Sequence, residues 1–370
     1  MLGRYIEPML TDFFMSRGKN IHMPVSGTFE LSPICNFNCR MCYVHRKKCE
    51  LEAMGKTILP PEFWIDLAKK AVDNGMLYLL LTGGEPFLYP GFKEVYEAVK
   101  EMGVIISINT NGSLIDEEWV EYLKDNPPTK MNITLYGGSD ESYEKMCGVK
   151  NGYTKVTKAI LMLKDAGVNV KLNCSLTPDN EDELESIINF ADENDIILEV
   201  ATYMFPQIRL DVNNKGHNRR FTAEEMAEKD LKISRLMRGE ETYREHVNFL
   251  KNRKCIIPGV DSECSNNEGT QLLCRAGTAA FWVTWEGNIT PCGMMPVPKV
   301  SLADKDFNTA WKELVDKTLA IRLAPECAGC ENKDICHSCA GMTYAENADF
   351  TKRPDYLCRY VKELKLICQE

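Results

Sequence analysis

At 370 residues the sequence is long enough for two or three domains of about 150 residues, and 44% apolar with 26% charged residues is typical of an ordered globular protein. The formal net charge of −10 disfavours general nucleic-acid binding, because phosphate backbones repel an acidic protein. No run approaches the ~18 uncharged apolar residues of a membrane span, and no export signal precedes residue 25. We therefore expect a cytoplasmic protein without nucleic-acid or membrane partners.

Short apolar runs alternate with amphipathic segments between residues 25 and 203. The apolar runs, rich in β-branched and aromatic residues, predict six strands: Thr28–Leu31, Leu77–Thr82, Val104–Asn109, Lys130–Leu135, Val168–Leu176 and Ile196–Tyr203. The amphipathic segments predict helices at Pro61–Asn74, Phe92–Met102, Asp116–Lys124, Thr154–Ala166 and Asp182–Glu193. This alternation is typical of βαβ units around a parallel sheet, either open and doubly wound or an incomplete barrel. In both folds, ligands bind at the carboxyl ends of the strands.

A loop and a change of composition follow the last of these strands. The loop holds a basic cluster, interpreted as a solvated surface with ligand binding as the alternative: Arg209, Lys215, His217, Arg219 and Arg220. A charged helix is predicted at Thr222–Arg238, a hairpin at Ala279–Trp285 and Ile289–Cys292, and a further helix at Phe307–Thr318. We expect an N-terminal segment (1–24), an α/β domain (25–220), a helical linker (221–254) and a cysteine-rich domain (255–370).

The 16 cysteines favour metal or cluster ligation, because a chain of this length without an export signal needs no disulfide framework. Six lie in residues 1–250 and ten in residues 251–370. The first group, Cys35, Cys39 and Cys42, follows the first strand with C-x3-C-x2-C spacing. Three thiolates so close in sequence can hold one face of an iron–sulfur cubane and leave one iron without a protein ligand. A zinc site completed by Cys49 or His45 is the alternative.

Three segments at strand ends resemble the signature of the radical S-adenosylmethionine (radical SAM) superfamily. They are the cysteine triad with Tyr43 beside it, Thr82–Pro86 after the second strand, and Asn109–Gly112 after the third. The resemblance implies a partial (βα)6 TIM-like barrel in which Cys35, Cys39 and Cys42 hold a [4Fe-4S] cluster. S-adenosylmethionine would bind its unique iron, and a reductant such as flavodoxin or ferredoxin would supply one electron. Cleavage would then give a 5′-deoxyadenosyl radical that abstracts hydrogen from the substrate.

The same resemblance implies residues that bind S-adenosylmethionine. They are Gly83, Gly84, Glu85, Pro86, Asn109, Thr110, Asn111, Asn173, Ser175 and Tyr43. Asn173 and Ser175 are equally consistent with ordinary hydrogen-bonded strand residues. No catalytic acid or base is predicted, and the strand-end residues Tyr136 and Tyr203 are interpreted as core aromatics.

By spacing alone, the C-terminal cysteine pairs suit zinc and iron–sulfur ligation equally. Their order resembles the SPASM extension of radical SAM enzymes, which implies two auxiliary [4Fe-4S] clusters. The ligands of one would be Cys274, Cys292, Cys339 and Cys264, with Cys255 as the alternative to Cys264, and those of the other Cys327, Cys330, Cys336 and Cys358. The pattern departs at Cys339, which follows Cys336 by two intervening residues rather than three, and His337 is a conceivable substitute. Cys49, Cys147, Cys174 and Cys368 are expected to have no cluster role.

Enzymes with this architecture mostly modify peptides, so the resemblance implies an oxidoreductase that crosslinks, epimerises or forms a thioether in a ribosomally made peptide. Ile133–Gly137, Cys274–Gly277 and Pro291–Met295 are similar to segments of such maturases. Because the first strand starts near residue 28, we expect either leader-peptide recognition by a separate protein or an enzyme that acts without it. The alternatives are formylglycine formation of the anaerobic sulfatase-maturating type, radical modification of a small molecule, an iron–sulfur electron carrier and a zinc-knuckle regulator.

Overall fold

The computed structural model describes residues 10–206, 209, 219–252, 274–328, 330–333 and 335–369. Its strands are β1 Ser26–Glu30, β2 Tyr78–Thr82, β3 Ile105–Thr110, β4 Lys130–Thr134, β5 Val170–Ser175, β6 Ile197–Ala201, β7 Ala280–Val283, β8 Asn288–Thr290 and β9 Val300–Ser301. Its helices are α1 Leu10–Ile21, α2 Lys48–Ala53, α3 Pro61–Asp73, α4 Phe92–Glu101, α5 Glu117–Asp125, α6 Asp140–Cys147, α7 Gly152–Asp165, α8 Leu184–Glu193, α9 Ala223–Asn252, α10 Phe307–Leu319, α11 Pro325–Ala328, α12 Ala340–Asn347 and α13 Asp355–Gln369. Within these ranges, none of the helices combines the length and the apolar composition needed to cross a bilayer.

The predicted alternation of strands and helices is confirmed from β1 to β6. Glycines follow three of the predicted helices: Gly75, Gly103 and Gly167 have φ of 106°, 77° and 79° just beyond α3, α4 and α7. A left-handed residue at this position lets the chain leave the helix without steric cost only if it lacks a side chain. Helices α1, α2, α6, α11, α12 and α13 were not predicted.

One compact unit comprises residues 10–34, 46–108 and 274–320. Its sheet has the order β3-β2-β1-β7-β8-β9, in which β1, β2, β3 and β7 are parallel and the β7–β8 hairpin is antiparallel. Strand β7 pairs directly with β1, with Ser26 opposite Ala280. The buried carboxylate of Glu30 accepts a hydrogen bond from Trp282 Nε1 at 3.1 Å. The predicted hairpin therefore extends the sheet of the first strands, a long-range pairing that the sequence did not predict.

The second compact unit comprises the described parts of residues 35–45, 109–271 and 321–370. Strands β4, β5 and β6 are parallel neighbours in this order. Helix α9 is broken at Gly239 (φ 76°), next to the predicted helix end at Arg238. Its two halves contribute to an apolar core with α13 that buries Ala227, Leu231, Leu250, Ile335, Val361, Leu364 and Cys368. The C-terminal helix therefore belongs to the same core as the linker helix.

We expect Leu364→Ala to destabilise the protein by about 2–5 kcal/mol, because it leaves a cavity in the core between α9 and α13. Leu366→Ala, on the exposed face of the same helix (57% exposed), should change stability by no more than about 0.5 kcal/mol. Urea unfolding of the metal-free protein, followed by circular dichroism, measures both. Equal losses in the two variants would contradict the packing described here.

Candidate functional site

The loop that carries Cys35, Cys39 and Cys42 begins directly after β1 and has no regular secondary structure. All three thiols are partly buried. Backbone N–H groups are directed at two of the sulfurs: Phe37 N donates to Cys35 Sγ at 3.3 Å, and His45 N donates to Cys42 Sγ at 3.2 Å. Donors of this kind stabilise thiolates that ligate iron, so the loop fits a cluster with three cysteine ligands.

The carboxyl end of α6 holds the middle of this loop. Asn38 N donates to Cys147 O at 2.9 Å, and Arg40 N donates to Met146 O at 3.1 Å. The last carbonyls of a helix have no partner within the helix, so the loop supplies the missing donors. The position of the loop therefore depends on α6, a helix that the sequence analysis missed.

Cys147 at the end of α6 also contacts a predicted ligand through its side chain. A hydrogen bond with the Cys147 thiol and burial together raise the pKa of Cys39 well above its usual range, and a hydrogen bond from Tyr136 opposes this shift. Cys147 is completely buried, as expected for a residue without a ligand role. However, Cys147 and Tyr136 lie against the cluster loop and contact Cys39. They therefore do more than pack in the core, which is the role that the sequence suggested. No sequence pattern marks either contact, since both partners are distant along the chain.

Asn111, at the end of β3, is directed at the same loop. Its Nδ2 donates to Asn36 Oδ1 at 2.9 Å and approaches Cys35 Sγ at 3.7 Å. Its Oδ1 accepts bonds from the N–H and the hydroxyl of Ser113, whose Oγ in turn accepts from Asn36 Nδ2 at 2.8 Å. Asn111 therefore orients the first cysteine. Asn109 bonds Asn132 and Thr110 bonds the N–H of Gly112, so a role of these residues in cofactor binding stays a prediction.

In the first unit, the segment Gly83–Pro86 runs against the backbone that leads into the cluster loop. Gly84 N donates to Ser32 O at 2.6 Å, and Glu85 N donates to Ile34 O at 2.9 Å. A Cβ on Gly84 would lie 2.4 Å from Ile34 O, so only glycine fits this approach. The fully buried Glu85 accepts from Phe87 N at 3.1 Å. The glycines thus have a packing role in the protein itself, in addition to the predicted contact with the cofactor.

The other predicted cofactor residues lie in the second unit. Asn173 pairs with Thr134 and Glu199 in the sheet, and the carbonyl of Ser175 accepts a bond from Asn180. The Tyr43 ring lies 5.6 Å from the guanidinium carbon of Arg209. The described contacts do not test S-adenosylmethionine binding by Asn173, Ser175 or Tyr43.

Four C-terminal cysteines are grouped in the second unit: Cys327, Cys330, Cys336 and Cys358. Burial raises the pKa of Cys327, and the charges of the other three thiols raise it further. Asn332 N is directed at Cys330 Sγ at 3.5 Å. Over the described ranges, no three metal-binding side chains stand at the spacing of a single bound ion. The grouping and the sulfur-directed donor fit the four thiolates expected for one auxiliary cluster.

The ligands expected for the other auxiliary cluster are only partly described. Cys274 and Cys292 lie in the first unit and Cys339 in the second. The thiol of Cys339 caps α12 by accepting from Met342 N at 3.4 Å. Cys255 and Cys264 lie outside the described residues. This ligand set stays a prediction.

Of the two consecutive arginines in the basic cluster, Arg219 is exposed, as the solvated-surface interpretation predicted, whereas the Arg220 side chain is only 23% exposed, which corrects the interpretation at that residue. Arg219 bonds the buried Asp179, and Arg220 bonds Glu346 through both of its terminal nitrogens. The guanidinium of Arg220 also lies over the Tyr356 ring, 4.0 Å from its centroid. These side chains are engaged in ion pairs within the protein. Lys215 and His217 lie outside the described residues.

Comparison with known proteins gives a consistent result. Residues 29–191 match the sequence family described as the Radical SAM superfamily. The AdoMet-dependent heme synthase of Methanosarcina barkeri is 23% identical over 90% of this chain and 95% of its own length. The sporulation killing factor maturation protein SkfB of Bacillus subtilis is 24% identical over 75% of this chain and 62% of its own length. The crystal structure of Streptococcus suis SuiB bound to the precursor peptide SuiA has the same fold (TM-score 0.68, 18% identity, 96% of this chain and 83% of that one).

We expect Asn111→Ala to make the reduction potential of the cluster at Cys35, Cys39 and Cys42 more negative, because the amide directed at Cys35 Sγ is lost. Asn132→Ala is the control, since its amide donates to Asn109 instead. A redox titration followed by electron paramagnetic resonance measures the potential, and iron analysis measures cluster retention. Identical potentials in the wild type and both variants would contradict a role of Asn111 at Cys35.

Proposed function

Because this chain carries a radical SAM domain and belongs to that superfamily, we propose that it modifies a residue of a ribosomally synthesised peptide by radical chemistry. The cofactors of the superfamily, a [4Fe-4S] cluster and S-adenosylmethionine, are those expected from the sequence. The prediction of an enzyme is confirmed by the same match. When bound, the two cofactors supply a 5′-deoxyadenosyl radical that abstracts a hydrogen atom from the substrate.

The observation that carries the proposal is the second group of thiols. Cys327, Cys330, Cys336 and Cys358 lie within electrostatic reach of one another, in addition to the three cysteines of the cluster loop. A second group of thiols supports an auxiliary cluster and, with it, a SPASM-type enzyme. In our proposal, Cys35, Cys39 and Cys42 hold the catalytic cluster, and Asn111 and the end of α6 orient them. Binding of S-adenosylmethionine by Gly83–Pro86 is proposed from the resemblance alone.

The similarity to maturation enzymes supports a peptide substrate. SkfB is named as a maturation protein, and SuiB was crystallised with its precursor peptide. We propose the same class of substrate for this chain, with a flavodoxin- or ferredoxin-type reductant. A crosslink or thioether removes two hydrogen atoms from the peptide, whereas epimerisation exchanges one hydrogen with solvent and leaves the mass unchanged.

Short peptides encoded beside this gene are the substrates to test. The anaerobically reconstituted protein is incubated in D2O with each peptide, dithionite and S-adenosylmethionine, followed by tandem mass spectrometry. Loss of two hydrogens would indicate a crosslink or thioether, and incorporation of one deuterium would indicate epimerisation. An aldehyde detected with a hydrazide reagent would indicate formylglycine formation instead. An unchanged peptide in the presence of S-adenosylmethionine cleavage would contradict the proposed substrate.

A small-molecule substrate is the second candidate. The heme synthase of Methanosarcina barkeri matches this chain over nearly the full length of both proteins, more completely than SkfB does. The same assay with a porphyrin precursor of heme, read out by absorption spectroscopy, distinguishes this candidate. Formation of heme without any change in the peptides would favour it over peptide maturation.

The two thiol groups should respond differently to substitution. We expect Cys35→Ala to abolish release of 5′-deoxyadenosine, because the catalytic cluster loses a ligand. Cys358→Ala should retain part of this release and lose the modified product, because it affects the auxiliary thiols alone. Cys49→Ala, which removes an exposed thiol without a proposed ligand role, is the matched control and should leave both unchanged. Chromatography of 5′-deoxyadenosine measures the first step. Equal effects of Cys35→Ala and Cys358→Ala would contradict separate roles.

A further inference from the structure

Asp179, in the turn after β5, binds three cations from distant parts of the chain. Its carboxylate is buried, with 4% of the side chain exposed. Arg219 Nη1 lies 2.9 Å from Oδ1, Lys145 Nζ 3.5 Å from the same oxygen, and Arg40 Nη1 3.4 Å from Oδ2. Arg40 belongs to the cluster loop, between Cys39 and Cys42. A buried carboxylate that loses its partners costs several kcal/mol, so these cations are held to Asp179.

The turn that carries Asp179 is itself fixed. Asp179 N donates to Thr177 Oγ1 at 3.2 Å, and Thr177 N donates to Asn180 Oδ1 at 2.8 Å. Asn180 Nδ2 donates to the carbonyl of Tyr136 at 2.9 Å, which attaches the turn to the end of β4. Thr177, Asp179 and Asn180 are all buried. The carboxylate therefore has a defined position, to which Arg40 of the cluster loop is attached.

The next residue along the chain from Arg219 is attached at a different place. Arg220 makes two bonds to Glu346, at 2.6 and 3.0 Å, and its guanidinium stacks on Tyr356. Tyr203 OH also donates to Glu346, at 2.7 Å. Glu346 lies in α12, the helix whose N-terminus is capped by Cys339. The planar guanidinium fixes both bonds in one geometry, so this contact constrains orientation as well as distance.

We propose that Arg219 and Arg220, which we call the arginine pair, position the cluster loop relative to α12. One arginine binds Asp179, which holds Arg40 of the loop. The other binds Glu346 of the helix that Cys339 caps. Because the two arginines are consecutive, a displacement at one carboxylate is passed to the other over a single peptide unit. The arginine pair, Asp179 and Glu346 are positioning residues, and the inference is independent of which substrate the enzyme modifies.

The test measures amide hydrogen exchange of the full-length protein at both ends of this connection. Arg219→Gln and Asp179→Asn should raise exchange by about tenfold in residues 35–46 and also in residues 340–347, which do not contact Asp179. Conversely, Glu346→Gln should raise exchange in residues 35–46, because coupling between two sites is reciprocal. Asp140→Asn is the matched control. It weakens the two hydrogen bonds that Asp140, at the start of α6, accepts from Thr154. Because α6 also carries Lys145 and holds the cluster loop, this control is read at residues 340–347.

The outcomes separate a connection from local loosening. The proposal is supported if Asp179→Asn and Arg219→Gln increase exchange in residues 340–347 and Glu346→Gln increases it in residues 35–46. Asp140→Asn should leave exchange in residues 340–347 unchanged. If Asp179→Asn and Arg219→Gln loosen residues 35–46 alone and Glu346→Gln loosens α12 alone, the proposal is overturned. An equal increase of exchange in residues 340–347 in Asp140→Asn also overturns the proposal, since the effect would then be general destabilisation. The exchange is measured on the metal-free and on the reconstituted protein, and neither measurement needs a substrate.

Discussion

The structure depends on how a loop without secondary structure can hold three cysteines in place. Such a segment has no internal ladder of hydrogen bonds, so its backbone groups and sulfurs must find partners elsewhere. Two carbonyls at the end of α6 bind the loop amides, Asn111 is directed at Cys35 Sγ, and loop amides return to two of the sulfurs. The cluster ligands are therefore positioned by a helix terminus and a strand end.

Charge is the second constraint. The protein carries a net charge of −10. Asp179, which pairs with Arg40 of the cluster loop, is nevertheless surrounded by cations. Arg40, Lys145 and Arg219 carry three positive charges against the single negative charge of Asp179, and each of these three side chains is about half exposed or more. Individual exposed ion pairs contribute little to stability, but a buried carboxylate shared among three of them fixes the geometry of all three. Asp179 and its three cations therefore contribute more to the position of these side chains than to the stability of the protein.

The local features of the fold could be predicted from the sequence. Periodicity predicted β1–β6 and the helices α3, α4, α5, α7 and α8 between them, because this signal arises from neighbouring residues. The cysteine spacing identified the cluster loop for the same reason. The features that were missed join residues far apart in the chain: Cys147 with Cys39, Asp179 with Arg40, and β7 with β1. Periodicity carries no information about such partners. Helix α6 was missed because its eight residues are too short for a clear apolar pattern.

The pairing of β7 with β1 makes the first strand an interior strand of the sheet, although in sequence it opens the α/β repeat. The two cysteine groups therefore cannot be separated by cutting the chain between residues 252 and 274. A fragment that ends there would leave the backbone donors and acceptors of β1 unpaired along one edge, and would remove the Trp282 indole that satisfies the buried Glu30. An open edge of this kind favours pairing between molecules. The segment 274–320 thus completes the sheet that the N-terminal strands begin, so a protein cut before it would lack part of its own first unit.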